Sequence, residues 1–211
     1  MQVPSPKNVA TEEIAPLQAN LSRKGYHHGD LRAALMVVGL RVLEAGSVDS
    51  FSLREVAREI GVSVGAIYRH FPDKSAMLQA LASQGLVRLG EAQMRAAQEA
   101  GPGMAGFTAA GRTYVRFALA HPTLFRVIMS YAMMIDTASM SRESPSLSMR
   151  LLMESVAGLL PKASEKELRL AALRAWSEVH GLTMLMLEKQ IPQDDALIDA
   201  VVDAPSYGWN L

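Results

Sequence analysis

The stretch Ser52 to Lys74, SLREVAREIGVSVGAIYRHFPDK, constrains the fold more than any other part of the chain. Leu53, Val56, Ala57 and Ile60 recur at helical spacing on one face, while Arg54, Arg58 and Glu59 fall away from it. Ser52 followed by Glu55 has the form of a capping box, so a helix is expected to start at Ser52. Gly61 is expected to end it, because glycine accepts the left-handed backbone of a sharp stop. Ser63 is then set as the N-cap of a second helix with Ile67 and Phe71 on its apolar face and Val62 as a staple. Pro72 stops this helix, and Asp73 is expected to cap a third with Lys74 in its first turn. Two short helices joined by about three residues have helix-turn-helix spacing, although the same pattern also fits a plain helical hairpin.

In a helix-turn-helix the second helix enters the major groove with its N-terminal residues against base edges. Here those residues are Ser63, Val64, Gly65 and Ala66. All are small, so the backbone can come close to a duplex; Val64 and Ala66 suit thymine methyl groups, and Ser63 can donate to a base or phosphate. Tyr68, Arg69 and His70 follow one turn later with groups suited to phosphate oxygens, and Arg54 adds a cation on the first helix. Lys74 places an ammonium at a helix N-terminus, a second arrangement suited to phosphate.

The string Val-Ala-Arg-Glu-Ile-Gly-Val-Ser, continued by Gly65, Tyr68, His70-Phe71 and Lys74, resembles the DNA-binding domain of TetR-family transcriptional regulators over about Tyr26 to Leu81. That resemblance implies phosphate contacts for Tyr68, His70 and Lys74, and a recognition helix beginning at Ser63 to Ala66. The family often carries a polar or basic residue where this chain has Val64. Tyr26 to Arg32 also looks like the start of one TetR subgroup, and Trp176, His180 and Gly181 resemble the Trp-His-Gly signature of one C-terminal domain type.

Lys+Arg and Asp+Glu balance at 21 each, which argues against a uniformly basic nucleic-acid binder. Any basic face must come from arrangement. The absence of cysteine excludes disulfides, thiolate metal sites and thiol redox sensing. The paired His27 and His28 have no third ligand at metal spacing, so neither a metal nor a cofactor is expected. With neither a secretory leader nor an apolar run of about 18 residues, a cytoplasmic protein is expected.

Four segments follow from the pattern: a mobile leader over 1–22, a helix-turn-helix domain over 23–81, a C-terminal ligand-binding and dimerisation domain over 82–204, and a tail over 205–211. Residues 21–28, LSRKGYHH, form a basic arm suited to a DNA backbone or minor groove, and equally to a solvated tail. A helix from about Asp30 to Ala45 should brace the hairpin, and a long helix from Ser75 to about Gln98, roughly 35 Å, should join the domains. Beyond Gly101-Pro102-Gly103 everything reads as helix: Phe107 to Ala120, Pro122 to Met134, Ser146 to Leu160, Ser164 to about Gln190, and a short helix within Asp194 to Asp203. The expected fold class is therefore all-α.

The helix after Ser164 is apolar on more than one face, and such a helix needs partners on both sides. Its own bundle supplies one. A second subunit is the simplest supplier of the other, with Leu173, Gly181, Met184 and Leu185 at the interface, whereas a monomeric bundle would place the same helix at its centre. Phe107, Tyr114, Phe125, Met129, Met133, Trp176 and His180 are candidates for an effector pocket, since methionine and aromatic residues suit an apolar or aromatic ligand. Each also suits an ordinary core. The chain has no His-Glu-x-x-His pair, Walker loop or Gly-x-Ser-x-Gly elbow, so no catalytic residue is expected. The expected partners are double-stranded operator DNA, a second copy of the chain and a small effector, with no membrane. The rival reading is a helical ligand carrier or adaptor whose hairpin does not bind DNA.

Overall fold

The computed structural model describes residues 28–131 and 140–203, and every described element is a helix. The leader, the arm ahead of the first helix, Met133 and the tail lie outside these residues. In chain order the helices are α1 (His28–Ala45), α2 (Leu53–Ile60), α3 (Val64–Tyr68), α4 (Lys74–Ala100), α5 (Met104–Ala120), α6 (Pro122–Tyr131), α7 (Leu147–Leu159), α8 (Glu165–Leu187) and α9 (Asp195–Val202).

The hairpin forms from the signals that its residues carry. Ser52 caps α2, but its hydroxyl accepts from the Arg54 N–H at 3.2 Å rather than from Glu55. Instead of reaching back, the Glu55 carboxylate faces Arg58 one turn on, at 3.5 Å, so the expected capping box is only a simple cap. Gly61 adopts φ 79°, its N–H bonding the Arg58 carbonyl at 3.3 Å and the Val62 N–H bonding the Ala57 carbonyl at 3.0 Å. That pair of bonds is a Schellman stop, which satisfies carbonyls that a helix end otherwise orphans. Ser63 caps α3 through the Ala66 N–H at 3.2 Å, and Asp73 caps α4 through the Ala76 N–H at 2.7 Å. Ser164 and Glu167 do form the full capping box at α8, with the Ser164 hydroxyl and N–H holding the Glu167 carboxyl below its ordinary value.

One core runs through the N-terminal helices: Leu35 and Leu43 of α1, Val56 of α2, Ile67 of α3, Phe71, and Met77 and Leu81 of α4 are all fully or almost fully buried. Burial of each such side chain contributes about 1.5–3 kcal/mol relative to exposure. Leu124, Val127 and Ile128 of α6 belong to the same core, so α6 is packed onto the helix-turn-helix unit. Two polar ties lie beside that packing: His121 Nδ1 is 2.7 Å from Glu44 Oε1, and the Thr123 hydroxyl donates to the Gly46 carbonyl at 3.3 Å. The 27-residue α4 spans roughly 40 Å and carries both units. At its far end the buried Gln93 donates to the Ala110 carbonyl at 3.2 Å and accepts from Ser148 at 2.5 Å, joining α4, α5 and α7.

Burial on α7 and α8 is one-sided. In α7 the buried stripe is Met149, Met153 and Val156, while Leu147, Leu151, Leu152 and Leu159 are half-buried. Methionine, unbranched and flexible, fills the irregular gap and leaves the leucines at its margin. In α8 the buried side is Leu168, Ala171, Ala172, Leu182, Thr183 and Met186; Leu170 and Leu185 are exposed. The short α9 lies on α5, its Asp195 and Asp199 against Arg116 at 2.7 and 2.8 Å and its neighbour Asp203 against Arg112.

Candidate functional site

Among the proposed reading residues, Ser63, Gly65, Tyr68 and Arg69 are exposed on and just after α3. Tyr68, at 52% exposure, is the most open of the large apolar side chains among the described residues. A methyl group added at Gly65 would meet only the Ser63 hydroxyl, at 3.9 Å, so nothing inside the chain requires glycine there. Val64 is half-buried against the core, and Ala66 is 7% exposed within it. The Ala66 methyl therefore faces inward rather than toward a groove, buried beside the fully buried Ile67 while Gly65 stays exposed.

Basic groups surround this surface. Arg54 on α2 and Arg69 after α3 have no carboxylate within ion-pair distance among the described residues, whereas Arg41 and Arg58 are paired with Glu59 and Glu55. Lys74 sits on the first residue of α4 with its Nζ on the Asp49 carbonyl at 3.1 Å, which holds the ammonium beside the hairpin without neutralising it. His70 is half-buried behind Tyr68 and Arg69. Arg32 of α1 lies 5.1 Å over the ring of Phe71, in the segment between α3 and α4; no helical period signals a contact between residues so far apart in the chain.

Five of the seven candidate pocket residues converge. Tyr114 of α5, Phe125 and Met129 of α6, and Trp176 and His180 of α8 belong to one cluster with Leu89 of α4. Phe107 packs elsewhere, against the cluster of Met140, Met149 and Met153. Met133 is outside the described residues. Within the cluster the Tyr114 ring meets Phe125 edge-on at 5.5 Å, and His180 lies 5.9–6.3 Å from the rings of Trp176, Phe125 and Tyr114.

The Trp176 indole N–H donates to the Tyr114 hydroxyl at 3.3 Å, and that hydroxyl is 3.0 Å from His180 Nδ1. Burial pushes the Tyr114 phenol up to about 12, with the indole bond opposing the shift, and burial lowers the His180 imidazole. Both groups are accordingly neutral near pH 7. Glu178, on another side of α8, is raised by its own burial. Two open clefts lie apart from this cluster: one of about 490 Å³ beside Met186 and Ile191, the other of about 700 Å³ between α1 and α2 around Arg41 and Ser50. Among the described residues no group of acidic, histidine or cysteine side chains is placed to hold a metal, and no helix is long and apolar enough to cross a membrane.

Residues 35–81 match the family model for bacterial regulatory proteins of the tetR family, and residues 107–204 match that for the tetracyclin repressor-like C-terminal domain. The chain belongs to the TetR family. Its fold is that of TetR-family DNA-binding transcription regulators. A solved protein of unknown function from Rhodococcus sp. RHA1 is 33% identical, with a TM-score of 0.67 over 86% of this chain and 96% of its own. A TetR family transcription regulator from Marinobacter aquaeolei VT8 is 18% identical, with a TM-score of 0.59 over 82% of this chain and 93% of its own, a likeness of fold. None of the curated proteins matches closely enough to add a relative. In this TetR-family chain the α2–α3 hairpin is the helix-turn-helix, and the aromatic cluster lies within the C-terminal match apart from Leu89.

Proposed function

We propose that this TetR-family chain is a cytoplasmic homodimeric repressor that binds a two-fold symmetric operator and is released by a small apolar or aromatic effector in its C-terminal helices. The observation that supports DNA binding best is the α3 surface: Ser63, Gly65, Tyr68 and Arg69 exposed together, with Lys74 alongside at the start of α4. Tyr68, His70 and Lys74 would hold phosphates, and the N-terminal turn of α3 would face base edges. Dimerisation is supported by the outer side of α8. Leu170 and Leu185 are 47% and 42% exposed, Leu173 and Met184 are half-buried, and a methyl at Gly181 would meet nothing within 4 Å. The Trp-His-Gly residues lie on this helix, with Trp176 and His180 turned into the cluster and Gly181 toward the open side.

Release follows from how α6 is placed. Its Phe125 touches Tyr114 in the cluster, and its Leu124 and Ile128 pack into the core of the hairpin unit. A ligand that repositions α6 therefore shifts the hairpin. Two hairpins must meet one duplex at a set half-site separation, so a small rotation lowers affinity without altering the reading residues. An effector that prefers the rotated state must weaken DNA binding, and DNA must weaken effector binding by the same factor.

Selection of bound sequences from a random duplex pool by the full-length chain tests the reading. The expected result is a two-fold symmetric site whose affinity falls about equally for all sequences in Tyr68→Ala and Lys74→Ala, while Val64 substitutions alter the preferred site. No enrichment, with all binding lost at higher salt, would favour the rival reading of a helical ligand-binding or adaptor protein.

A further inference from the structure

We propose that His180 is the reading group of the aromatic cluster: its Nε2–H is a single donor that selects an uncharged, largely apolar ligand carrying one hydrogen-bond acceptor, a ketone-type oxygen or a pyridine-type nitrogen. This rests on the reading that the C-terminal helices hold an effector.

The donor's identity follows from the hydrogen-bond inventory. An indole N–H only donates, so the Tyr114 oxygen accepts from Trp176. The phenol hydrogen then needs an acceptor, and His180 Nδ1 at 3.0 Å is the one within reach among the described residues. Nδ1 must be the bare nitrogen, which leaves the proton on Nε2. The opposite tautomer would strand the Tyr114 hydrogen inside an apolar cluster, where Tyr114 is 4% exposed.

The Nε2–H has no partner among the described residues, yet it is not sealed in. The only unpaired side-chain polar atom closed off from solvent among them is Gln84 Oε1. His180 itself is half-buried, with Tyr114, Phe125 and Trp176 around its ring. The site therefore presents one fixed donor at the edge of an aromatic surface.

Charge at the site sets the ligand class. No charged side chain hydrogen-bonds to Tyr114, Trp176 or His180 among the described residues, and burial and the indole bond alone set the directions in which Tyr114 and His180 are shifted. Glu178, two residues away on α8, lies about 200° round the helix from His180. A carboxylate ligand would find one N–H and no cation to offset its loss of water, and an ammonium ligand would find a donor where it needs an acceptor. A pure hydrocarbon would cover the N–H and leave it unpaired. A neutral acceptor on an aromatic body satisfies both the rings and the donor.

The test uses the full-length chain labelled with ¹⁵N-histidine and three probes of one shape: acetophenone, α-methylstyrene, which has CH₂ in place of the ketone oxygen, and benzoate. In the free protein the His180 nitrogen signals are expected to be those of the Nε2–H tautomer. Acetophenone should move the Nε2 signal and bind about fivefold more tightly than α-methylstyrene, the worth of one net hydrogen bond, with benzoate weakest. His180→Leu should remove the difference between the first two probes, and Tyr114→Phe, which frees the ring, should reduce it. An Nδ1–H tautomer, equal binding of ketone and alkene, preference for benzoate, or no probe moving the His180 signals would overturn the proposal. Operator release is read separately. Discrimination at His180 without release refutes the release mechanism alone, and release with the His180 signals unmoved refutes the donor assignment alone.

Discussion

Replacing Gly65 by alanine should move stability and DNA affinity in opposite directions. The new methyl has open space around it, the nearest atom being the Ser63 hydroxyl at 3.9 Å, and the backbone there is ordinary right-handed helix. Alanine is favoured over glycine by about 0.8–1.0 kcal/mol in a helix interior, and roughly half of that is expected at the second residue of the short α3. For a protein of this size about 0.5 kcal/mol corresponds to a rise of about 1–2 °C in Tm. On a duplex the methyl would stand between the start of α3 and the groove edge. Losing close contact there should cost about 1–3 kcal/mol per half-site, or about 5- to 150-fold in Kd for each. Calorimetry and fluorescence anisotropy with the selected operator measure the two quantities on one preparation. A raised Tm with unchanged operator affinity would refute the reasoning, because it would mean that the α3 backbone does not approach the duplex.

Three further outcomes follow from the same packing. Gly90→Ala should destabilise by about 1–3 kcal/mol in urea unfolding, since its methyl would lie 2.9 Å from Leu147 Cβ and 3.0 Å from the Ser148 backbone nitrogen. Gly85→Ala, whose methyl meets side-chain atoms of Ile128 and Leu124 and no backbone atom among its nearest neighbours, should cost less; a reversed order would show that α7 yields where α6 does not. Leu185→Glu on the outer side of α8 should convert a dimer into monomers in sedimentation, with the helical circular dichroism signal kept, and a persisting dimer would move the interface elsewhere. Burial lowers the His180 pKa in the folded state, so between the unfolded value of about 6.5 and that lower value the unfolded chain holds the extra proton. Stability should therefore fall as pH drops through this window and level off below it. His180→Leu should flatten the profile there, and parallel profiles for the two proteins would contradict the assignment.

Local chemistry carried much of this molecule in readable form. The caps at Ser52, Ser63, Asp73 and Ser164, the stop at Gly61 and the start at Pro122 depend on residues within one helical turn of each other, so the helices and the hairpin could be read from the chain alone. Spacing along one strand of sequence does not decide which way a short helix rolls on its core. Ala66 turned inward and Gly65 outward, and α7 buried Met149 and Met153 in place of its leucines, because neighbouring helices set the shape of the gap to be filled. Contacts between distant residues were likewise settled only in three dimensions: Glu44 with His121, Arg32 over Phe71, and the Trp176–Tyr114–His180 relay assembled from α5 and α8. The sequence by itself determined the helices, their ends and the helix-turn-helix, since these rest on backbone bonds between near neighbours. Tertiary structure alone decided which side chains of those helices share a site, because that depends on the angle and roll at which separately formed helices pack.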